Sequence, residues 1–340
     1  MEVRGEIRQA AVIGAGVMGS GIAAHIANAG VPVLLLDVVP GAAAAALQRM
    51  GKAEPAPFMD AAAAKRVTPG DLPADLARLA ETDWIVEAVI EDAGVKAALY
   101  AQLESVRKPG SVVSSNTSTI PLAKLISGQS PRFAADFLIT HFFNPPRYMR
   151  LLEIVSGCET RPEALAAIAD FADRRLGKGV VTCKDTPGFI ANRIGAFWIQ
   201  AAINAAFELG LTVEEADAVC GKPLGLPKTG VFGLIDLVGL DLLPHITRSL
   251  LGTLPEADAF RALYREQPLF AAMVAAGNTG RKGKGGFYRL EKLPGGKREK
   301  QAIDLVSGAY RRSVKAQLES VSAARKSLAA LFEHPDRGGA

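Results

Sequence analysis

The chain has 340 residues, of which 49% are hydrophobic and 22% are charged. This length is typical of two domains, and the composition supports packed cores and excludes wholesale disorder. The net charge of +4 arises at the end of the chain, because residues 291–340 contain ten Lys and Arg against six Asp and Glu. A nucleic-acid-binding protein is expected to carry its basic face on its main body, so we predict no nucleic-acid partner.

The three cysteines, Cys158, Cys183 and Cys220, form neither a CxxC pair nor an even disulfide framework. We therefore expect reduced thiols in a cytoplasmic protein, and we predict no metal site. Residues 1–9 alternate in charge and lack the apolar segment of a signal peptide. No apolar run approaches the roughly 20 residues that a membrane helix needs, so no membrane span is predicted.

The first part of the chain alternates strand-like and helical segments. Residues 9–13 are apolar and end at Gly14, and a helical segment then leads to a second apolar run that ends at Asp37. This order is typical of a βαβ unit, and the continuing alternation predicts an α/β fold with a doubly wound sheet. Residues 52–73 show no clear period and are predicted to be a surface excursion. Further strands are expected at 84–89, 112–115, 137–140, 151–155 and 179–182.

The pattern changes near residue 186, where the sequence KDTPGF marks a predicted domain boundary. Only helical segments follow, so we expect residues 187–290 to form an all-helical domain. Residues 291–340 are predicted to be a basic tail with one amphipathic helix. The apolar side chains of this helix recur at helical spacing and are Val314, Leu318, Val321, Leu328 and Phe332.

A glycine-rich turn, GAGVMG at residues 14–19, joins the first strand to the first helix. Glycines permit a tight turn and let backbone N–H groups approach a pyrophosphate at the start of a helix. Asp37 ends the next strand, where a carboxylate can bind the adenosine ribose hydroxyls and repel a 2′-phosphate. The motif in this context predicts a Rossmann-type domain over residues 1–186 that binds NAD. The expected contacts in the turn are Gly14, Gly16, Val17, Met18 and Gly19.

A histidine and a glutamate lie on two predicted strands joined by a Pro-Pro loop. His141 stands in the sequence THFFNPP, and Glu153 follows twelve residues later. Oxidation of an alcohol needs a base for the hydroxyl proton, and a carboxylate can orient an imidazole for that task. The alternative is a core histidine with an unrelated surface glutamate.

Three other segments carry polar groups that have both a functional and a purely structural interpretation. The sequence SSNTS at residues 114–118 can contact a nicotinamide or a substrate, or can serve as a helix cap. Residues 184–193 can begin a helix after a linker, and residues 281–288 form a basic glycine loop that suits phosphate or solvent equally well.

With these residues in view, the chain resembles the L-3-hydroxyacyl-CoA dehydrogenase family of fatty-acid β-oxidation. The resemblance extends from residue 8 to about residue 288. It rests on motifs in the same order, namely VIGAGVMGSGIA, IVEAVIED, SSNTS, THFFNPP, LLEIV, KDTPGFIANR, LVGLD and GKGGFY.

The resemblance implies NAD-dependent oxidation of an (S)-3-hydroxyacyl-CoA to the 3-ketoacyl-CoA. It implies a catalytic pair of His141 and Glu153, with Ser118 and Asn192 positioning the substrate. The further NAD contacts that it implies, beyond Asp37 and the glycine turn, are Glu91, Lys96, Asn116, Ser118, Asn144 and Lys282.

Residues 41–71 match the family's CoA-contacting helical hairpin poorly. The cations available there for CoA phosphates are Lys52, Lys65 and Arg66. The stretch GLPKTG at 225–230 is similar to that of bacterial multidomain members that carry a hydratase domain. The family's helical domains pack against a second copy, so the resemblance implies a homodimer through residues 189–290 or, alternatively, a fragment of such a longer chain.

Three alternative functions are open from the sequence. A β-hydroxyacid dehydrogenase of the 6-phosphogluconate type shares the glycine motif but uses a catalytic lysine, against which the His–Glu pair argues. An L-gulonate dehydrogenase shares the H-x-x-N-P-P pattern. The third alternative is a non-catalytic NAD-binding protein.

Overall fold

The computed structural model describes residues 6–336, and the chain divides into two compact units between Ile190 and Ala191. The first unit contains a single large sheet. Its strands are β1 (Ala10–Ile13), β2 (Val33–Asp37), β3 (Val67–Asp71), β4 (Trp84–Glu87), β5 (Val112–Ser115), β6 (Phe137–Phe142), β7 (Leu151–Ser156) and β8 (Gly179–Cys183). They lie in the order β3-β2-β1-β4-β5-β6-β7-β8, and every pair is parallel except β6 with β7.

Helices cover both faces of this sheet. Successive residues of β1 point to opposite faces, so Ala10 and Val12 join one apolar cluster and Ala11 and Ile13 join the other. The predicted doubly wound α/β fold is therefore confirmed. The helices are α1 (Val17–Asn28), α2 (Ala42–Met50), α3 (Ala61–Ala64), α4 (Leu72–Asp75), α5 (Ala93–Val106), α6 (Leu122–Ile126), α7 (Pro131–Ala135) and α8 (Pro162–Arg174).

The interpretation of residues 52–73 as a surface excursion is wrong for its last part, Val67–Asp71. Part of this segment forms β3, which pairs in parallel with β2 at the edge of the sheet. The sequence VTPGD conceals the strand, because Pro69 lacks an N–H donor and Gly70 has low strand propensity. An edge strand tolerates such residues, since one side of its backbone has no partner strand.

The second unit is mainly helical and also contains a small antiparallel sheet. Its longest helix begins at Ala191, after Gly188 and Phe189 adopt positive φ angles of 76° and 49° that interrupt helical backbone. The helices are α9 (Ala191–Glu208), α10 (Val213–Val219), α11 (Gly230–Val238), α12 (Leu243–Thr253), α13 (Ala259–Leu263), α14 (Pro268–Ala275), α15 (Glu319–Ala323) and α16 (Leu328–Phe332). The strands, in the spatial order β11-β10-β9, are β9 (Tyr288–Lys292), β10 (Arg298–Ile303) and β11 (Tyr310–Arg312).

The prediction of one amphipathic helix in the tail is wrong. Residues 288–312 form the three strands, and two short helices, α15 and α16, follow them. The hydroxyl oxygen of Ser327 accepts a hydrogen bond from the N–H of Ala330 and so begins a new helix in the middle of the predicted one. The apolar residues do recur at helical spacing, but Ser327 starts a new helix among them, so they do not form one continuous helix.

Within residues 6–336, no single helix combines the length and apolar composition needed to cross a membrane. The pair Gly230–Val238 and Leu240–Thr253 meets these criteria only when taken together, and it is bent by 82°. The same residues contain no cluster of three or more His, Cys, Asp and Glu side chains arranged to hold a metal ion.

Candidate active site

The glycine turn links β1 to α1 at the carboxyl end of the central strands. Gly14 has a φ of 102°, and a Cβ there would lie 2.4 Å from the carbonyl oxygen of Ala88 on the neighbouring strand's continuation. A Cβ on Gly19 would lie 1.8 Å from the carbonyl oxygen of Gly14. These two glycines are therefore required by the packing of the turn itself.

Gly16 differs from its neighbours, because a Cβ on it would meet no atom within 4 Å. Gly16 is also the N-cap of α1, and no side chain caps this helix end. The first turn of α1 contains no acidic residue. The helix therefore begins with N–H groups that face open space, which is the arrangement that binds a pyrophosphate.

Asp37 closes β2 beside this turn. Its Oδ2 accepts a hydrogen bond of 2.7 Å from the N–H of Ala15, and its Oδ1 accepts one of 2.9 Å from Val39. The carboxylate thus holds the glycine turn in place at the position where an adenosine ribose lies in dinucleotide-binding folds. The open space at Gly16, the uncapped helix and this carboxylate fit an NAD molecule.

His141 and Glu153 are direct partners across the antiparallel pair β6–β7. The Nδ1 of His141 lies 2.7 Å from Oε2 of Glu153, which is fully buried. A carboxylate accepts hydrogen bonds, so Nδ1 is the donor in this contact and Nε2 is the ring nitrogen left for a ligand. The second carboxylate oxygen accepts a hydrogen bond from the N–H of Ile190. Glu153 is therefore fixed from two sides and orients the imidazole.

Aromatic rings enclose the histidine. The ring of Phe143 lies 4.5 Å from the imidazole, centroid to centroid, and that of Phe189 lies 5.5 Å away. His141 is only 6% exposed. This apolar surrounding excludes water and strengthens the electrostatic coupling between the imidazole and its carboxylate.

The strand ends around His141 are joined by polar side chains of the SSNTS segment. Oδ1 of Asn116 accepts a hydrogen bond of 2.9 Å from the N–H of Phe142, the residue after the histidine. The hydroxyl of Ser114 lies 2.8 Å from that of Thr140 and accepts a hydrogen bond from the indole of Trp84. The segment therefore fixes the end of β6 and with it the position of the histidine.

Glu91 organises the backbone around Ser118. One carboxylate oxygen accepts hydrogen bonds from the N–H groups of Ser118 and Thr119 and from the hydroxyl of Thr117. Burial alone raises the pKa of Glu91, but these hydrogen bonds and the charge of Lys96 outweigh it and hold the pKa below its usual value. Glu91 therefore stays ionised and holds Ser118 in a half-buried turn.

A buried acid that the sequence analysis did not identify lies under this turn. Glu87 is fully buried at the end of β4, and its carboxylate contacts Lys96 Nζ at 2.6 Å, the Ser115 hydroxyl at 2.6 Å and the Tyr100 hydroxyl at 2.8 Å. Lys96, which was expected to contact NAD, is 1% exposed and also lies 3.4 Å from Glu91. The buried ammonium of Lys96 therefore balances the charges of two carboxylates, those of Glu87 and Glu91. A charge that ends the apolar run WIVE was the available signal for Glu87.

Asn144 lies in the loop between β6 and β7, which is held in place by hydrogen bonds from two cationic side chains. The buried ammonium of Lys178 donates hydrogen bonds to the carbonyl oxygens of Pro146 and Met149. Arg147 donates to the carbonyl oxygens of Ala56 and Phe58. A cavity of about 330 Å³ lies beside this loop and the glycine turn, and its lining includes Val17, Asn144, Arg49 and Arg147.

A buried histidine next to this loop provides a pH-dependent test of the first unit. Burial, followed by the charge of Lys178, lowers the pKa of His25 from 6.5 to about 4. Between pH 6.5 and pH 4, the unfolded chain therefore binds a proton at His25 that the folded chain does not bind. The contribution of His25 to the free energy of unfolding is present above pH 6.5 and is lost as the pH falls towards 4. The expected loss is about 3 kcal/mol at pH 4.

The measurement is the free energy of unfolding as a function of pH, for the wild type and for His25→Leu. The variant is expected to lack most of the slope between pH 6.5 and pH 4. The matched control is the exposed His245→Leu, which is expected to keep the slope. An unchanged slope in His25→Leu would assign the acid sensitivity to other groups.

The remaining predicted site residues fall in different places. Lys52, Lys65 and Arg66 are exposed, and none of them lines the cavity beside the loop, where Arg49 and Arg147 lie instead. Asn192 and Lys282 belong to the second unit, Asn192 half-buried near the start of α9 and Lys282 exposed in the basic glycine loop. The roles of all five in binding stay predictions.

Comparison with known proteins assigns both units. Residues 9–186 match the model of the 3-hydroxyacyl-CoA dehydrogenase NAD-binding domain, and residues 188–290 match that of the C-terminal domain of the same family. A crystal structure of FadB2 from Mycobacterium tuberculosis superposes with a TM-score of 0.72 at 33% identity, over 83% of this chain and 99% of that one.

Two curated relatives differ in length. The chain is 42% identical to a Deinococcus radiodurans protein named "Probable 3-hydroxyacyl-CoA dehydrogenase" over 84% of each protein. It is 39% identical to a Bacillus subtilis protein with the same printed name, over 98% of this chain but only 45% of that protein. The chain therefore spans about half the length of the second relative. The matches confirm the predicted family and NAD as its cofactor: this chain belongs to the 3-hydroxyacyl-CoA dehydrogenase family.

Proposed function

We propose that this protein oxidises the 3-hydroxyl group of an (S)-3-hydroxyacyl-CoA to the ketone, as a step of fatty-acid oxidation. The observation that carries the proposal is the 2.7 Å contact between His141 Nδ1 and Glu153 Oε2. This pair lies at the carboxyl end of β6, which is parallel to β5, β4 and β1, so it shares a sheet edge with the glycine turn. Ligands of doubly wound sheets bind at that edge.

The residues of the chain have distinct tasks in this reaction. Nε2 of His141 accepts the hydroxyl proton, and the carboxylate of Glu153 stabilises the imidazolium that forms. Bound NAD⁺ supplies the acceptor for the hydride that leaves C3. Phe143 and Phe189 keep water from the imidazole, and Asn116 fixes the strand end on which it stands. Ser118 and Asn192 are proposed to hold the substrate oxygen.

The test is NADH oxidation by the purified protein with acetoacetyl-CoA, with free acetoacetate as the matched control without CoA. The expected result is turnover of the thioester and little turnover of the free acid. Longer 3-ketoacyl-CoA substrates define the chain-length preference. Activity with dehydrogulonate in place of the thioester would contradict the proposal and favour an L-gulonate dehydrogenase, and no activity with any substrate would favour a non-catalytic NAD-binding protein.

The choice of NAD over NADP is proposed to depend on Asp37. Its carboxylate would face the 2′-phosphate of NADP, and the residues that follow it, Val38, Val39 and Pro40, supply no cation. Asp37→Ala is expected to lower the ratio of kcat/KM with NAD to kcat/KM with NADP by about tenfold. The substitution removes the repulsion between the carboxylate and the 2′-phosphate of NADP. Equal efficiency of the wild type with both cofactors would contradict this assignment.

We also propose that the protein is a cytoplasmic homodimer paired through residues 189–290. Support comes from large apolar side chains that are exposed in the second unit, since such side chains are enriched at protein interfaces. Light scattering at micromolar concentration tests the pairing, and a strictly monomeric active protein would contradict it. Cell fractionation tests the location. The exposed side chains are Ile194, Phe197, Leu237, Val238, Leu242 and Ile246.

A further inference from the structure

A cavity of about 1470 Å³ in the second unit is lined mainly by positive side chains among its charged residues. Eight of its lining residues are Lys or Arg, and only three are acidic. The cations come from separate parts of the chain: Lys222 and Lys228 precede α11, Lys300 lies on β10, and Lys315 lies beyond β11. All lining residues lie between 214 and 325, so the cavity shares none with the glycine turn or with His141.

The three acidic residues of the lining are engaged in holding its walls. Asp217 accepts hydrogen bonds from the N–H groups of Phe232 and Gly233 and from the hydroxyl of Tyr288. Burial raises the pKa of Asp217 to about 7 in spite of these bonds, which lowers its negative charge at neutral pH.

The carboxylates of the other two acidic residues also have hydrogen-bond partners. Asp236 accepts hydrogen bonds from the N–H groups of Phe287 and Tyr288, and Glu214 is paired with the guanidinium of Arg311. None of the three carboxylates lies within 4 Å of a lining lysine among residues 6–336.

Four of the five lining lysines, by contrast, form no ion pair among residues 6–336, and only Lys300 interacts with the charge of Asp236. These four, which are Lys222, Lys228, Lys284 and Lys315, are exposed. Several positive charges around one concavity concentrate the field there and attract an anion. A ligand must bring several negative charges and must be small enough to enter, and polyphosphorylated molecules of nucleotide size satisfy both conditions.

We propose that this cavity binds a small molecule that carries at least two phosphate groups, at a site separate from the glycine turn and from the His–Glu pair. The lining cations surround one concavity and do not form the extended basic face that a nucleic-acid strand would need, which favours a small molecule. The phosphates can come from the adenosine 3′,5′-bisphosphate part of CoA or from a free polyphosphate. The proposal does not depend on the reaction proposed above.

The test measures binding of tripolyphosphate and of adenosine 3′,5′-bisphosphate by calorimetry, at physiological ionic strength and with NAD⁺ at saturation. The cavity variant is Lys222→Glu/Lys228→Glu/Lys315→Glu. The matched control reverses the same number of exposed charges outside the lining, as Lys292→Glu/Lys297→Glu/Lys326→Glu. Substitutions of exposed side chains typically change stability little, and the midpoint of thermal unfolding checks this for both variants.

The wild type and the control variant are expected to bind, and the cavity variant is expected to bind at least about tenfold more weakly, because opposed charges replace attractive ones. If the Glu variant unfolds, Lys222→Gln/Lys228→Gln/Lys315→Gln removes the charges without reversing them and is expected to weaken binding as well. Preference for the bisphosphate identifies CoA as the source, and equal binding identifies a general polyphosphate site. No binding by the wild type, or equal weakening in both variants, would overturn the proposal.

Discussion

His141→Gln is expected to lower kcat by about 10²–10⁴-fold, because this is the usual contribution of a general base. Glutamine keeps a hydrogen-bond donor towards Glu153 but cannot accept the hydroxyl proton at neutral pH. NAD affinity is expected to stay within a few-fold of the wild type, since the imidazole is separate from the glycine turn. The measurements are steady-state turnover with acetoacetyl-CoA and NADH binding by fluorescence.

The matched control for this substitution is His245→Gln, at an exposed position in the second unit. It is expected to leave turnover unchanged. The assignment of His141 as the base would fail if its variant kept turnover within a few-fold. Loss of NADH binding together with turnover would indicate damage to the fold of the first unit instead.

An added methyl group is expected to affect NAD affinity at one glycine of the cofactor turn and protein stability at another. A Cβ at Gly16 meets no protein atom within 4 Å, whereas a Cβ at Gly19 would lie 1.8 Å from the carbonyl oxygen of Gly14. Gly16→Ala is therefore expected to keep its stability and to lose NAD affinity by about tenfold or more, since the methyl occupies the approach of the pyrophosphate. Gly19→Ala is expected to lose about 1–3 kcal/mol of unfolding free energy.

Denaturant unfolding and NADH titration of both variants check this pair of expectations. If Gly16→Ala binds NADH as the wild type does, the cofactor does not approach the start of α1. If both variants lose stability equally, the space at Gly16 is not open in solution.

The sequence was sufficient for the parts of the site that rest on local backbone chemistry. The glycine turn, Asp37 and the His–Glu pair could be predicted because each sits at the end of an apolar strand, where residues of a doubly wound sheet converge. The pairing of His141 with Glu153 needed only a strand–loop–strand return. The fold class followed from the alternation of strands and helices.

Other features depend on partners that are distant in the chain. Glu87 lies in a recognisable motif, but its contacts with Lys96, Tyr100 and Ser115 arise only when β4, α5 and β5 pack together. The strands β9 and β10 are rich in charge and carry little apolar alternation, so their pattern resembled a solvated tail. The turn between them, Pro294-Gly295-Gly296, was the available signal for a hairpin.

The two halves of the site differ in how far apart their parts lie along the chain. His141 and Glu153 are separated by 12 residues, whereas the glycine turn is held by Asp37, 22 residues from Ala15, and by β1 pairing with β4, which starts at Trp84. Closing a short loop costs less chain entropy than closing a long one. During refolding, the β6–β7 hairpin is therefore expected to gain protection from amide exchange before the β1–β4 pair does. The chemical half of the site would then be assembled before the half that holds the cofactor.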